Sequence, residues 1–194
     1  MHIQSLFPTA FVKVENPILA HTLYGQVKEI LDSTEQTQFM DYHSTFDPTS
    51  PIEQRFELSK EIDQFKIWAH DQSIQFLKQI GYQTDIIPTK IKIEFNRMGI
   101  GDRHKRHVHA GSLVTGTFYL NVPKDSSPLV IHDPRLHREM VPYPTEPTTY
   151  TSYKETIDIK AGTLCLMEGF VPHEVDINKS EGRTLIMFNI VNAN

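Results

Sequence analysis

At Gly81 the hydrophobic period of this chain changes, and that change limits the folds open to it. Before Gly81 apolar residues recur at helical spacing; after it they alternate with a period of two. Residues 17–32 follow Asn16 with Pro17, an N-cap residue and then proline at the first helical position, and carry Leu19, Leu23, Val27, Ile30 and Leu31 on one face. Residues 59–80 repeat the pattern with Ile62, Phe65, Ala69, Phe76 and Ile80, and Gly81 stands where a C-terminal cap belongs. Two helices are predicted, and the segment 41–57 between them, with Asp47-Pro48 and Ser50-Pro51, reads as a loop. Further on, Lys90-Ile91-Lys92-Ile93-Glu94-Phe95 alternates as a half-buried strand does. Residues 113–121, 129–132, 155–159, 163–167 and 183–191 are further short strands, separated by Gly, Pro, Asn and Asp. Helices first and strands afterwards predict a mostly β fold with N-terminal helices, a sandwich or jelly roll with both helices packed on one sheet.

The length, 194 residues, suits a single domain over 1–194, with 1–88 as a helical scaffold and 89–194 as the β core. Within that core, residues 134–154 hold Pro134, Pro142, Pro144 and Pro147 with Tyr143, Tyr150 and Tyr153; so long a loop reads as a cover over a site. No apolar run approaches the roughly 18 residues of a membrane span, and the start lacks the features of a signal peptide, so a cytoplasmic protein without a membrane partner is expected. A formal charge of −5 argues against nucleic acid as a partner. The single cysteine, Cys165, excludes an internal disulfide and a thiolate zinc site, and its place in Leu164-Cys165-Leu166 reads as buried and unreactive. Trp68 and the aromatic stripe of the second helix read as core.

Ten histidines stand against that one thiol, so any metal here would meet imidazole and oxygen. His107 and His109 are two residues apart, and in an extended segment such side chains share a face with their bases about 7 Å apart. His173 is a candidate third ligand, on a turn-like segment after a strand. Arg183 opens the last apolar strand, where its guanidinium could hold a carboxylate by a bidentate fork. His2, His21, His43, His70 and His137 read as ordinary surface or core residues, His104 and His132 as neighbours of the site, and Arg103, Lys105 and Arg106 as a solvated charge cluster.

The stretch from His107-Val108-His109 through Ser112, Gly116 and Tyr119-Leu120 resembles the H-x-H-P-x-S-x-x-S-G-x-x-Y-L signature of a 2-oxoglutarate/Fe(II) oxygenase family of bacteria and of tailed phages of marine bacteria. Asp133-Pro134-Arg135 is similar to its D-P-R block. The run from Gly162-Thr163 through His173-Glu174-Val175 and Arg183 to Phe188-Asn189 is similar to its G-x-L, H-x-V, R and F-N blocks, and Leu6-Phe7-Pro8-Thr9 to its usual start. Ala110, Thr115, Glu168-Gly169 and Phe95 depart from the pattern without removing a candidate ligand.

That resemblance implies a double-stranded β-helix, a jelly-roll form, flanked by two scaffold helices and holding Fe(II) at one open end. It implies 2-oxoglutarate as cosubstrate, with O₂, and admits ascorbate as an accessory reductant. The expected metal ligands are His107, His109 and His173, with His109 where the wider superfamily has an aspartate; the alternative is a carboxylate such as Asp133 or Asp102 as the remaining ligand. Arg183 would pair with the distal carboxylate of 2-oxoglutarate. Tyr119 matches a Tyr-Leu-Asn run that in prolyl hydroxylases contacts that carboxylate, and Asn96 an asparagine that contacts the cosubstrate in DNA-demethylating relatives. The implied activity is oxidative decarboxylation of 2-oxoglutarate coupled to hydroxylation of a peptide, as in a prolyl hydroxylase, or of a small molecule, in a host's cytoplasm if the source is a phage. Two alternatives stand beside it: a non-catalytic jelly-roll binding module, and a three-histidine dioxygenase that does not use 2-oxoglutarate. Oligomeric state stays open.

Overall fold

The computed structural model describes residues 5–35, 41–135, 146 and 148–193. Helix α1 (Pro17–Asp32) starts as the sequence predicts, with Asn16 as a cap whose side chain accepts a hydrogen bond from Leu19 N at 3.1 Å. Its buried stripe is Ala20, Leu23, Val27 and Leu31. Helix α3 (Lys60–Gln79) is capped by Ser59, which accepts from Ile62 N at 3.3 Å. Gly81, at φ +98°, closes α3: its own N–H donates to Lys78 O and that of Tyr82 to Leu77 O.

Six strands form the larger sheet, in the order β1 (Phe11–Glu15), β8 (Thr163–Glu168), β5 (Ser112–Asn121), β10 (Arg183–Asn192), β3 (Thr89–Met98), β2 (His43–Ser44). Four form the smaller one, in the order β4 (His104–His107), β9 (His173–Val175), β6 (Leu129–His132), β7 (Lys154–Ile157). All described pairings are antiparallel. The two helices pack on the outer face of the larger sheet, where Phe65 stacks on Phe118 at 5.4 Å and meets Phe188 edge-on at 6.0 Å, and Trp68 meets Phe118 at 5.3 Å. Between the sheets, Tyr119, Cys165, Met167 and Leu185 meet Leu129, Ile131 and Val171 from the smaller sheet's side. The frame is the expected mostly-β jelly roll with N-terminal helices. Cys165 is buried, and burial pushes its thiol up to about 12.

Four short strands lie outside the sequence reading. The segment 41–57, expected as loop, contains β2 and a one-turn helix α2 (Ile52–Arg55). β1, β4 and β9 were likewise unassigned, with His173 expected on a turn rather than in a strand. Strands of two to five residues are too short to display a period; β2 and β1 exist because longer partners, β3 and β8, offer them a ladder, whereas β4 and β9 pair with each other and β9 with β6. The cover expected over 134–154 falls largely outside the described residues, at 136–145 and 147. No helix among the described residues is long and apolar enough to cross a membrane.

Candidate metal centre

Along β3 the polar alternate residues change surroundings: Lys90 and Lys92 are exposed, while Glu94 and Asn96 are buried. Glu94 is 7% and Asn96 4% exposed, because the sheet face that the alternation presents is covered. The strand is thus half-buried at 90–92, as the alternation predicts, and buried on both faces at 93–96, with helices outside and a polar cleft inside.

The histidines converge in that cleft. Pairing of β4 with β9 sets His107 directly opposite His173. His109 follows β4 in a turn whose N–H donates to Gly169 O at 2.8 Å and whose carbonyl accepts from Ser112 N at 3.1 Å. Gly169 lies so close to Ser112 O and His109 O that no side chain would fit there. One ligand-capable atom from each of His107, His109 and His173 lies within 4.8 Å of the others, and the Nε2 atoms of His107 and His109 are 3.2 Å apart.

Hydrogen bonds assign the tautomers. His107 Nδ1 meets Lys105 O at 2.7 Å, and His173 Nδ1 meets Val171 O at 3.0 Å. A carbonyl only accepts, so both rings carry their proton on Nδ1 and a lone pair on Nε2. Burial, helped by the neighbouring rings, lowers His109 to about 3 and His173 to about 4; burial also lowers His107. Three neutral imidazoles facing one point suit a first-row transition metal, which binds only the unprotonated ring.

Neither alternative carboxylate joins this group of donors. Asp102 accepts from Gly99 N at 2.7 Å, and Asp133 is gripped by Arg135 at 2.5–3.1 Å. His104 lies against the centre without joining it, stacked on His107 at 3.8 Å, with its Nε2 3.4 Å from the hydroxyl of the buried Tyr42. His132 pairs with Glu174 at 2.9 Å. Arg103 and Lys105 pair with Asp41 on the surface at 3.4 and 3.3 Å.

Behind the histidines lies an arginine in an unusual position. Arg183 is fully buried, its Nη1 directed at Met98 Sδ at 2.9 Å, its Nη2 at Tyr119 OH at 3.4 Å, and its guanidinium 5.0 Å from the Tyr119 ring centre. Its Nε has no hydrogen-bond partner, and no described carboxylate forms an ion pair with it. Burial works against its charge. A buried guanidinium with a free N–H and no described anion has the chemistry to accept a carboxylate. The structure therefore brings Arg183 and Tyr119 together. The Asn96 carboxamide accepts from Ser44 Oγ at 2.5 Å and donates to Glu94 Oε1 at 3.2 Å, and among the described residues it makes no hydrogen bond to Arg183 or Tyr119.

Residues that the sequence reading did not single out also face the cleft. Glu94 is buried with, among the described residues, a single hydrogen bond, from Asn96, and burial raises its carboxyl to about 7. It lines, with Met187 and Asn189, a cavity of about 490 Å³ that runs out under the 45–55 segment. The signal for Glu94 was its place in an alternating strand, which reads the same for a solvent-facing and a cleft-facing residue.

Residues 94–189 match a family model described as "Putative 2OG-Fe(II) oxygenase". Among curated protein sequences nothing matches the chain significantly. Solved structures share the frame. A Pseudomonas putida prolyl-4-hydroxylase superposes with a TM-score of 0.66 at 13% identity, over 96% of this chain and 94% of that one. The viral collagen prolyl hydroxylase of Paramecium Bursaria Chlorella virus-1, as its 2OG complex, gives 0.57 at 16% identity over 93% and 94%. The epimerase SnoN of nogalamycin biosynthesis, solved with Fe3+, alpha ketoglutarate and nogalamycin RO, gives 0.66 at 14% identity over 95% and 80%. The family match takes in all three histidines, the buried arginine and Tyr119, and the chain belongs to the 2OG-Fe(II) oxygenases, a family of oxidoreductase enzymes.

Proposed function

We propose that His107, His109 and His173 hold Fe(II), and that Arg183 with Tyr119 receives the distal carboxylate of 2-oxoglutarate. The observation that carries this reading is the pairing, in one cleft, of three converging neutral imidazoles with a buried guanidinium whose N–H is unmatched. Iron there supplies activation of O₂ coupled to decarboxylation of 2-oxoglutarate, and the coupled product is a hydroxylated substrate.

The chain's own part is positional. The β4–β9 ladder fixes His107 against His173, and two backbone carbonyls keep the Nε2 lone pairs turned inward. Arg183 stays charged with no described carboxylate beside it, so a dicarboxylate gains a bidentate contact there that a monocarboxylate keto-acid lacks. A dianion also offsets the positive charge that a carboxylate ligand would otherwise temper, which suits an all-histidine ligand set. The cavity between Glu94 and Asn189 is the proposed substrate site, and Asn189, which interacts with the His109 ring, lies at its inner edge. Prolyl hydroxylases and nogalamycin-pathway enzymes share the frame at similar TM-scores, so peptide and small-molecule substrates both suit it. Cytoplasmic location is part of the same proposal.

The test is anaerobic Fe(II) titration followed by succinate release on adding 2-oxoglutarate and O₂. Wild type should bind one Fe(II) per chain and release succinate, and His173→Ala should do neither. Succinate release that persists in His173→Ala would sink the reading. Dioxygenase chemistry that runs without 2-oxoglutarate would favour the other three-histidine activity.

A further inference from the structure

Two of the three histidines are anchored in the same manner, each through Nδ1 to the carbonyl of the residue two before it: Lys105 for His107 and Val171 for His173. His109 has no such anchor. Its carbonyl and N–H are spent on Ser112 and Gly169, and no backbone carbonyl of the described residues meets its ring. Its Nε2 faces His107 Nε2 at 3.2 Å, which leaves Nδ1 on the outward side of the ring.

The polar side chain that interacts with this ring is Asn189 of β10. Asn189 is the second residue of the Phe188-Asn189 block and borders the cavity proposed for substrate. Its Nδ2 is directed at Met187 Sδ, 3.7 Å away, so the amide is oriented with Oδ1 on the other side. Oδ1 is buried and completes no hydrogen bond. A buried amide oxygen without a partner costs on the order of 1–3 kcal/mol, and it stands next to an imidazole that has a proton to place.

We propose that Asn189 is the positioning residue of the third histidine: Oδ1 accepts the Nδ1 proton of His109, holding its Nε2 lone pair toward His107 and His173. The role goes with the departure from a carboxylate at this position. A carboxylate ligand has no tautomer to fix, whereas a histidine there presents a proton instead of a lone pair if its ring takes the wrong form. Asn189 supplies from a side chain what Lys105 and Val171 supply from the backbone. The inference rests on the three-histidine ligand set proposed above.

Two measurements test it and fail separately. Long-range ¹H–¹⁵N spectra of labelled wild-type protein, held in chelator, read the tautomer of each histidine without any metal. His109 should show the Nδ1–H form, as His107 and His173 do, and an Nε2–H form in wild type overturns the proposal with no variant needed. Anaerobic Co(II) titration, followed by the visible ligand-field bands, then compares Asn189→Leu, which keeps volume and removes the acceptor, with Asn189→Asp, which restores it. Asn189→Leu should bind Co(II) about 10- to 100-fold more weakly with altered bands, and Asn189→Asp should return to wild-type affinity or better. Equal affinity for wild type and Asn189→Leu overturns the proposal while leaving the ligand set intact. Failure of wild type to bind Co(II) refutes the ligand set instead, and the tautomer spectra still decide the Asn189–His109 contact.

Discussion

Phe188 and Asn189 are neighbours in the chain with opposite work. Phe188 points outward from β10 into the helices, fully buried against Phe65, along with Ile186 and Ile190. Asn189 points inward with Met187, Leu185 and Arg183, toward histidines and a cavity. The outer face holds apolar area, which stabilises; the inner face holds a buried guanidinium, a buried carboxyl and an unmatched amide oxygen, each of which costs stability. Such groups survive in a fold when they bind something. If that division is correct, outer-face substitutions should cost stability and leave ligand binding alone, and inner-face ones should do the reverse.

The largest effect is expected at Phe188→Ala. Removing a fully buried ring from the contact with Phe65 should lower unfolding stability by about 3–5 kcal/mol in urea titrations. At temperatures where the variant is folded, its affinity for 2-oxoglutarate should match wild type. A large change in that affinity would break the division between the faces.

Arg183→Met tests the other side. Losing the guanidinium should raise the 2-oxoglutarate KM about 30-fold or more, the equivalent of at least about 2 kcal/mol for one partner of a buried charge-assisted contact. The melting temperature without ligand should be no lower than wild type, since a charge with no described anion is replaced by an apolar chain of similar reach. A fall of several degrees would mean that Arg183 holds the fold rather than the cosubstrate.

Glu94→Gln should show its effect through pH. Burial raises the carboxyl from 4.5 to about 7, so between those values the folded protein keeps a proton that the unfolded chain has released. Stability from this group is fully present below 4.5 and is lost as pH rises through 7. At about 1.4 kcal/mol per pH unit, wild type should lose up to about 3 kcal/mol relative to the variant across that window. Urea midpoints at pH 4.5 and pH 8 check it. A difference between the two proteins that does not change with pH would show that Glu94 shares its charge with a partner.

The outer face was legible in the sequence and the inner one only in part. Leu23, Val27, Phe65 and Phe76 announce themselves because a helix repeats its stripe over four turns or more, and the strands of β5 and β10 run ten residues each. His107, His109, His173 and Arg183 were found through spacing and side-chain chemistry and Tyr119 through a family pattern, none of them through hydrophobic periodicity, and they lie on β4, β5, β9, β10 and the turn after β4. Glu94 and Tyr42 were not found, His104 was placed near the site without a role, and Asn189 entered only as part of the F-N block. Their roles depend on which strand crosses which, as when β10 lies between β3 and β5 and brings Asn189 level with Lys92 and Thr115. No local signal carries that information, because a polar residue in an alternating strand looks alike whether it faces water or a cleft.

The smallest expected effect lies at Asn16, far from the cleft and on the stabilising side of the comparison. Its side chain caps α1 through Leu19 N, while its own N–H donates to Gly162 O at 2.7 Å and ties the helix start to the turn before β8. Asn16→Ala keeps that backbone bond and loses only the cap, so about 1 kcal/mol of stability should go, with no change in metal or 2-oxoglutarate affinity. α1 presses its stripe onto the outer face of the larger sheet, so a measurable loss of 2-oxoglutarate affinity would mean that helix seating is transmitted through the sheet to Arg183. The two faces of β10 would then be one coupled unit, and Asn16→Ala, because it perturbs least, is the most sensitive way to detect it.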